Sequence, residues 1–262
     1  MKQMVLKCSL LAISGLVATL LTVQPVLAEE TSPNSWTFSA NIYAWMPAIK
    51  GQSTTGQDID ISFSDILNNL DFTFMGGVTA RKEKFSLLVD VIYMNLDDTS
   101  NTILHQGNLV NLSLTNVKLK SWVVTPAVAY NVVQSDRVKL DLLAGARYFY
   151  LKATTDFEDQ GPLTTRKFSA SGSTDYWDGI VGAMGQIKVN EKWYLPFQGD
   201  IGTCDTDLTW QLFGGGGYKF TNLDLIAGYR HLEWDFDSSN KGGEVLNDLY
   251  ISGPIIGFRY YF

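Results

Sequence analysis

The sequence predicts an all-β chain: a transmembrane, antiparallel, up-and-down β-barrel of about ten strands, with eight to twelve as the bounds. Three observations carry this. The hydrophobic period is two along most of the chain, short turns alternate with long polar stretches, and no apolar run beyond residue 28 is long enough for a membrane helix.

The first 28 residues read as a cleaved signal peptide. Lys2 and Lys7 supply a positive start, "LLAISGLVATLL" the apolar stretch, and Val26, Leu27 and Ala28 the small-residue cleavage region. The mature barrel domain would then be residues 29–262. Removing the leader moves the formal net charge from -7 to about -9, an acidic balance that argues against a nucleic-acid partner. Cys204 is the single cysteine beyond the leader, so a disulfide-built scaffold is not expected.

Alternation gives the strands and their faces. "LDLIAGYRH" sets Leu223, Leu225, Ala227 and Tyr229 against Asp224, Ile226, Gly228 and Arg230. "VKLDLLAGARYFY" sets Val138, Leu140, Leu142 and Ala144 against Lys139, Asp141, Gly145 and Arg147. "KWYLPFQGDIG" sets Trp193, Leu195, Phe197 and Ile201 against Tyr194, Gln198 and Asp200. Aromatics near the run ends match interface girdles.

Tight breaks fall at "RKEK", "VQSD", "VNEK" and "FTN", and longer polar stretches alternate with them. That is the asymmetry of outer-membrane barrels. Counting from Trp36 gives about ten strands with both ends on the short-turn side, and "DIDISF" is a candidate hairpin arm. A soluble sandwich or lipocalin-like barrel is the rival. It would bury the apolar face and charge the other more strongly, whereas here the second face mixes Asp, Arg, Gln and Gly with bulky residues.

With the apolar faces on lipid, Asp90, Asp141, Asp178, Asp200, Asp224, Arg81, Arg147, Arg230 and Arg259 point into the lumen, with Lys188 at the rim. Opposite charges there pair as a structural network, because an unpaired buried charge is costly. The second use of Asp90, Asp141, Arg147, Asp178, Asp200, Arg230 and Arg259 is a polar constriction that passes small solutes.

Catalytic readings are weaker. Of the two histidines, His105 lies in a loop without an adjacent nucleophile, and His231 falls on the lipid-facing side near the outer rim. No catalytic, cofactor or metal site is expected. "DFDSSNKGGE" lacks the sharp-turn glycine and flanking helices of a calcium loop. "FGGGG" lacks the Gly-Lys-Ser/Thr ending of a phosphate cradle and suits close strand packing. "FSDILNNL" is the helical candidate: Phe63, Ile66, Leu67 and Leu70 share a face after a Ser62 or Ser64 cap, either as a partial plug or as a surface turn.

The terminal "GPIIGFRYYF" resembles the β-signal of bacterial outer-membrane barrels in Gly257, Tyr260 and Phe262, and departs from it at Ile255. The stretch from Asp175 to the end is similar to a group of small, largely uncharacterised outer-membrane barrels. The resemblance implies an outer-membrane location in a Gram-negative-type bacterium and recognition by the barrel assembly machinery. Membrane lipid and lipopolysaccharide would be the surroundings. It implies no activity. The expected role is a structural or small-solute barrel without catalysis, with a loop-mediated adhesion protein and a lipid-modifying enzyme as alternatives.

Overall fold

The computed structural model describes residues 35–53, 58–98, 102–105, 111–160, 165–236 and 246–262. The signal-peptide reading and most of "DFDSSNKGGE" lie outside them. In chain order the elements are β1 (Thr37–Trp45), β2 (Ala48–Ser53), β3 (Asp58–Ile61), α1 (Phe63–Asn68), β4 (Leu70–Lys82), β5 (Phe85–Asp98), β6 (Thr102–His105), β7 (Asn111–Gln134), β8 (Val138–Gln160), β9 (Thr165–Lys188), β10 (Trp193–Cys204), β11 (Leu208–Lys219), β12 (Leu223–Asp235) and β13 (Leu246–Tyr261).

Neighbouring wall strands pair antiparallel in chain order, and β1 pairs with both β4 and β13, which closes the ring. β1 and β2 share one wall position. Both run along β13, with β1 against Ile255–Tyr261 and β2 against Leu246–Ser252. Pro47, which has no N–H to donate, separates them, and Met46 N bridges the break by donating to Pro254 O at 2.9 Å. The wall therefore has ten positions. β3 is the hairpin arm seen in "DIDISF": it pairs with β2 and is not a wall strand. β6 likewise pairs only with the start of β7.

The turns after β4, β7, β9 and β11, the start of β1 and the end of β13 share one end of the barrel. At the other end β7, β8 and β9 run far past the wall. β10 pairs with β9 only up to Asp178, whereas β8 pairs with β9 out to Thr165. At ~3.4 Å per residue β8 and β9 extend about 40 Å beyond that point, and β7 runs beside β8 while it stays paired with β5 as far as Val117 and then with β6.

One seam in the wall is incomplete. The β1–β4 ladder stops at Ile42 and Gly76, and Leu70–Met75 of β4 pair only with β5. α1 lies between β3 and β4 in the chain. Ser62 caps it, with a reciprocal capping box to Asp65. Its Ile66 is buried in the lumen cluster, while Leu67 is exposed. The helix is thus a small contributor to the plug rather than a surface turn.

The outer surface is apolar at every wall position. Ile42, Val78, Leu87, Val128, Leu142 and Val181 are about half exposed, as are Leu195, Leu212, Tyr229 and Phe258. Water would penalise such a belt, and a hydrocarbon layer would not. Aromatic pairs flank it at both ends. Phe85–Tyr130, Trp193–Tyr218 and Tyr260–Phe262 lie near the short turns, with ring centroids 4.9, 5.0 and 5.2 Å apart. Tyr93–Trp122 and Tyr148–Trp177, at 4.4 and 4.8 Å, lie toward the long loops.

Candidate functional site: the barrel lumen

The inward residues form layers along the barrel axis. Nearest the short turns, Arg81 is ion-paired with Asp141, which also accepts from Asn131 Nδ2 at 2.6 Å. Across the lumen, Asp224 accepts from the hydroxyls of Tyr194 (2.7 Å) and Tyr261 (2.9 Å). Tyr194 can reach Asp224 because its cross-strand neighbour is Gly217. A Cβ on Gly217 would stand 2.2 Å from the Tyr194 ring. Gly217, the last glycine of "FGGGG", thus makes room for an aromatic ring.

At mid-height lies a continuous polar girdle. The Asp90 carboxylate accepts from Tyr43 Oη at 2.9 and 3.0 Å and from Arg230 at 3.1 and 3.2 Å. Arg230 also donates to Gln211 Oε1 at 2.9 and 2.6 Å, and Gln211 Nε2 donates to Asp200 at 2.8 Å. Asp200 is ion-paired with Arg147, both side chains fully buried, and Arg147 donates to Thr209 Oγ1 at 3.0 Å. A buried carboxylate is tolerable only with this density of donors. Tyr43 lies over Gly257, where a Cβ would come within 2.5 Å of its own, so Gly257 has a packing role in the girdle.

The seven lumen charges named from sequence do not form one network. Asp90, Arg147, Asp200 and Arg230 meet in the girdle. Asp141 belongs to the layer nearer the short turns. Asp178 faces Arg147 across the β8–β9 ladder but accepts from Thr206 N at 3.0 Å. Arg147 Nε and Asp178 Oδ2 are buried without hydrogen-bond partners among the described residues. Arg259 makes no carboxylate pair there. Tyr43, Gln211, Asn131, Tyr194 and Tyr261, which sequence reasoning did not single out, supply much of the bonding. Their alternation phase was the available signal. Tyr260 and Phe262 of the terminal motif face outward, and Phe262 N donates to Phe38 O at 3.0 Å.

Above the girdle the lumen turns apolar, where the bulky residues of the inward face gather. Leu232 and Trp234 are 0% exposed, Phe149 1% and Phe236 3%. Phe149 stacks on Trp234 at 4.7 Å, and Tyr176 packs on Phe236 at 4.8 Å. Trp45, Ile92, Val123 and Ile251 join the same cluster, and the Arg230 guanidinium lies 5.2 Å from the Trp45 ring centre at the boundary. On β12 a single face carries Asp224, Arg230, Leu232 and Trp234 in succession, so one strand crosses from the polar to the apolar layer. His231, on the opposite face, contacts Glu233 at 2.9 Å and lies between Trp210 and Tyr250. His105 is the last residue of β6.

Closure, an apolar exterior with aromatic flanks, and charges held inside decide the architecture. The fold is the small outer-membrane type of β-barrel. No protein-family model matches the sequence, and no curated protein matches it. Among solved structures, Neisserial surface protein A aligns over 89% of this chain and all of its own, at 16% identity and a TM-score of 0.34. The attachment invasion locus protein Ail of Yersinia pestis aligns over 87% of this chain and 99% of its own, at 9% identity and a TM-score of 0.32. The CymD monoaromatic hydrocarbon channel aligns over 87% and 89%, at 8% identity and a TM-score of 0.36. Likeness at this level carries no argument about function.

Proposed function

We propose that this chain is an outer-membrane barrel of a Gram-negative-type bacterium whose lumen is sealed by its own side chains. It serves as a non-catalytic structural barrel rather than an aqueous pore. The observation that carries the reading is the packed layer around Leu232 and Trp234, both without solvent exposure in the middle of a ten-position ring. A barrel this narrow has an interior that side chains can fill, and here they stack directly above the girdle. The apolar outer belt supports the membrane setting, and Gly257, Tyr260 and Phe262 serve as the label for the assembly machinery.

The test is osmotic swelling of liposomes containing the refolded protein, challenged with a small sugar. Swelling at the protein-free rate is expected. Swelling that rises with protein content contradicts the seal.

A second reading has its own support. The far ends of β7, β8 and β9 pair with one another well beyond the last β9–β10 pair. This extension suits a surface-binding or adhesion role at the cell exterior. Shortening the extension within residues 153–172 should then abolish cell or matrix binding while the barrel still shows heat-modifiable gel mobility. Unchanged binding by the shortened protein contradicts this reading.

A further inference from the structure

Between the girdle and the short-turn mouth the lumen is not filled. A cavity of about 140 Å³ lies there, with Arg230 and Asp90 on its girdle side and Arg259 among its lining groups. Its apolar walls come from Leu88, Met184, Phe213, Ile226 and Ile255. A dry cavity of ~150 Å³ holds a benzene ring, which sets the scale of an occupant. Ligand pockets generally combine such walls with a few fixed polar groups.

The charge beside the cavity is lopsided. Lys139 interacts electrostatically with Arg81, Asp141, Arg259 and Lys219, which places four bases and one acid together. Asp224 adds a second acid, directly opposite both Lys219 and Arg259 in the strand ladders. Both acids are engaged, Asp141 by Arg81 and Asn131, and Asp224 by two tyrosines. Among the described residues, Lys139, Lys219 and Arg259 have no carboxylate oxygen within 4.0 Å. Lys219 lies over the Tyr194 ring instead, 5.2 Å from its centre. Clustered cations with low-dielectric walls focus field and attract anions.

We propose that this cavity binds a small organic monoanion, a single-ring carboxylate, entering from the short-turn mouth. The orientation follows from the two ends. Asp90 and Arg230 at the girdle neutralise each other, so the ligand's charge goes to Arg259, the cavity-lining base without a carboxylate partner among the described residues, with Lys139 and Lys219 adding to the positive field behind it, while its apolar body packs against Phe213 and Ile226. The apolar plug above the girdle makes the site a blind one. The inference adds a ligand to the sealed barrel and stands on separate residues from the seal.

The experiment is calorimetric titration of the refolded full chain in detergent with benzoate, with benzyl alcohol as the neutral analogue and acetate as charge without a ring. Folding of each variant is checked by gel mobility with and without boiling. Benzoate should bind at least about tenfold more tightly than either control. The variant Arg259→Gln should weaken it about tenfold, and Ile226→Trp, which fills the cavity, should abolish it. Equal binding of benzoate and benzyl alcohol, no benzoate binding, or benzoate binding indifferent to Arg259→Gln overturns the site. If Ile226→Trp does not fold, the charge variant alone decides. A barrel that swells liposomes yet binds benzoate faults the seal only, and a silent barrel that ignores benzoate faults this site only.

Discussion

The two halves of the lumen obey one rule of alternation and fill it with opposite chemistry. Toward the short turns and at mid-height, the inward positions carry Arg81, Asp141, Asp224, Asp90, Arg230, Asp200 and Arg147, and every close charge pair is backed by hydrogen bonds. Toward the long loops the same inward phase carries Leu232, Trp234, Phe149 and Ile251, held by stacking and exclusion of water. Lipid sees little of this difference, because the outer faces of both halves are apolar. The lesson is that the outward face fixes where a barrel can reside, while the inward face decides whether it conducts. A polar layer alone could carry water. Capped by an apolar layer, it would be closed under the proposed function.

Variants in the two halves should therefore fail in different ways. The largest effect is expected for Arg147→Ala, which strands the buried Asp200 carboxylate: a loss of about 3–5 kcal/mol, read by urea unfolding of the refolded barrel. Replacing the pair, Arg147→Met with Asp200→Leu, should restore stability to within about 1 kcal/mol of wild type. That recovery would show that the girdle is a matter of compensation rather than of net attraction. No recovery would mean that Thr209 and Gln211 depend on the pair for their own positions.

In the apolar half, Trp234→Ala should cost about 3–4 kcal/mol through lost burial and a residual cavity, with no partner substitution able to repair it by charge. It should also loosen the seal, so its liposomes should admit small sugars that wild type excludes. A smaller effect is expected at Gly217→Val, whose side chain pushes the Tyr194 ring off its site. About 1–3 kcal/mol should be lost, with the change in near-ultraviolet dichroism centred on tyrosine. The smallest is Tyr194→Phe, which removes one of two hydroxyl bonds to Asp224 and should cost about 1 kcal/mol. If Tyr194→Phe cost as much as Gly217→Val, the hydrogen bond rather than the ring's packing would dominate that corner.

Much of this was legible in the sequence, for a physical reason. Period-two alternation fixes which side chains share a face whatever the neighbours are, so "LDLIAGYRH" placed Asp224 and Arg230 inward before any pairing was known. Turn lengths likewise gave the two ends. The height of a residue in the barrel was not legible, because it depends on register and stagger between strands that alternation leaves free. Arg259 shares the inward phase of the girdle residues, yet stands nearer the short turns, opposite Asp224. The plug was missed for a related reason. "HLEWDF" continues the inward phase through Leu232 and Trp234, but the inward residues named from sequence were the charged ones and ended at Arg230. The split of one wall position into β1 and β2 was also hidden, since Pro47 alone does not say that β13 spans the break.

Planar-bilayer current recording of the refolded wild-type chain addresses the seal most directly. Bilayers containing the protein should stay electrically silent under applied voltage, while the same preparation of Trp234→Ala gives current steps. Steady, reproducible single-channel steps from the wild type would contradict the account.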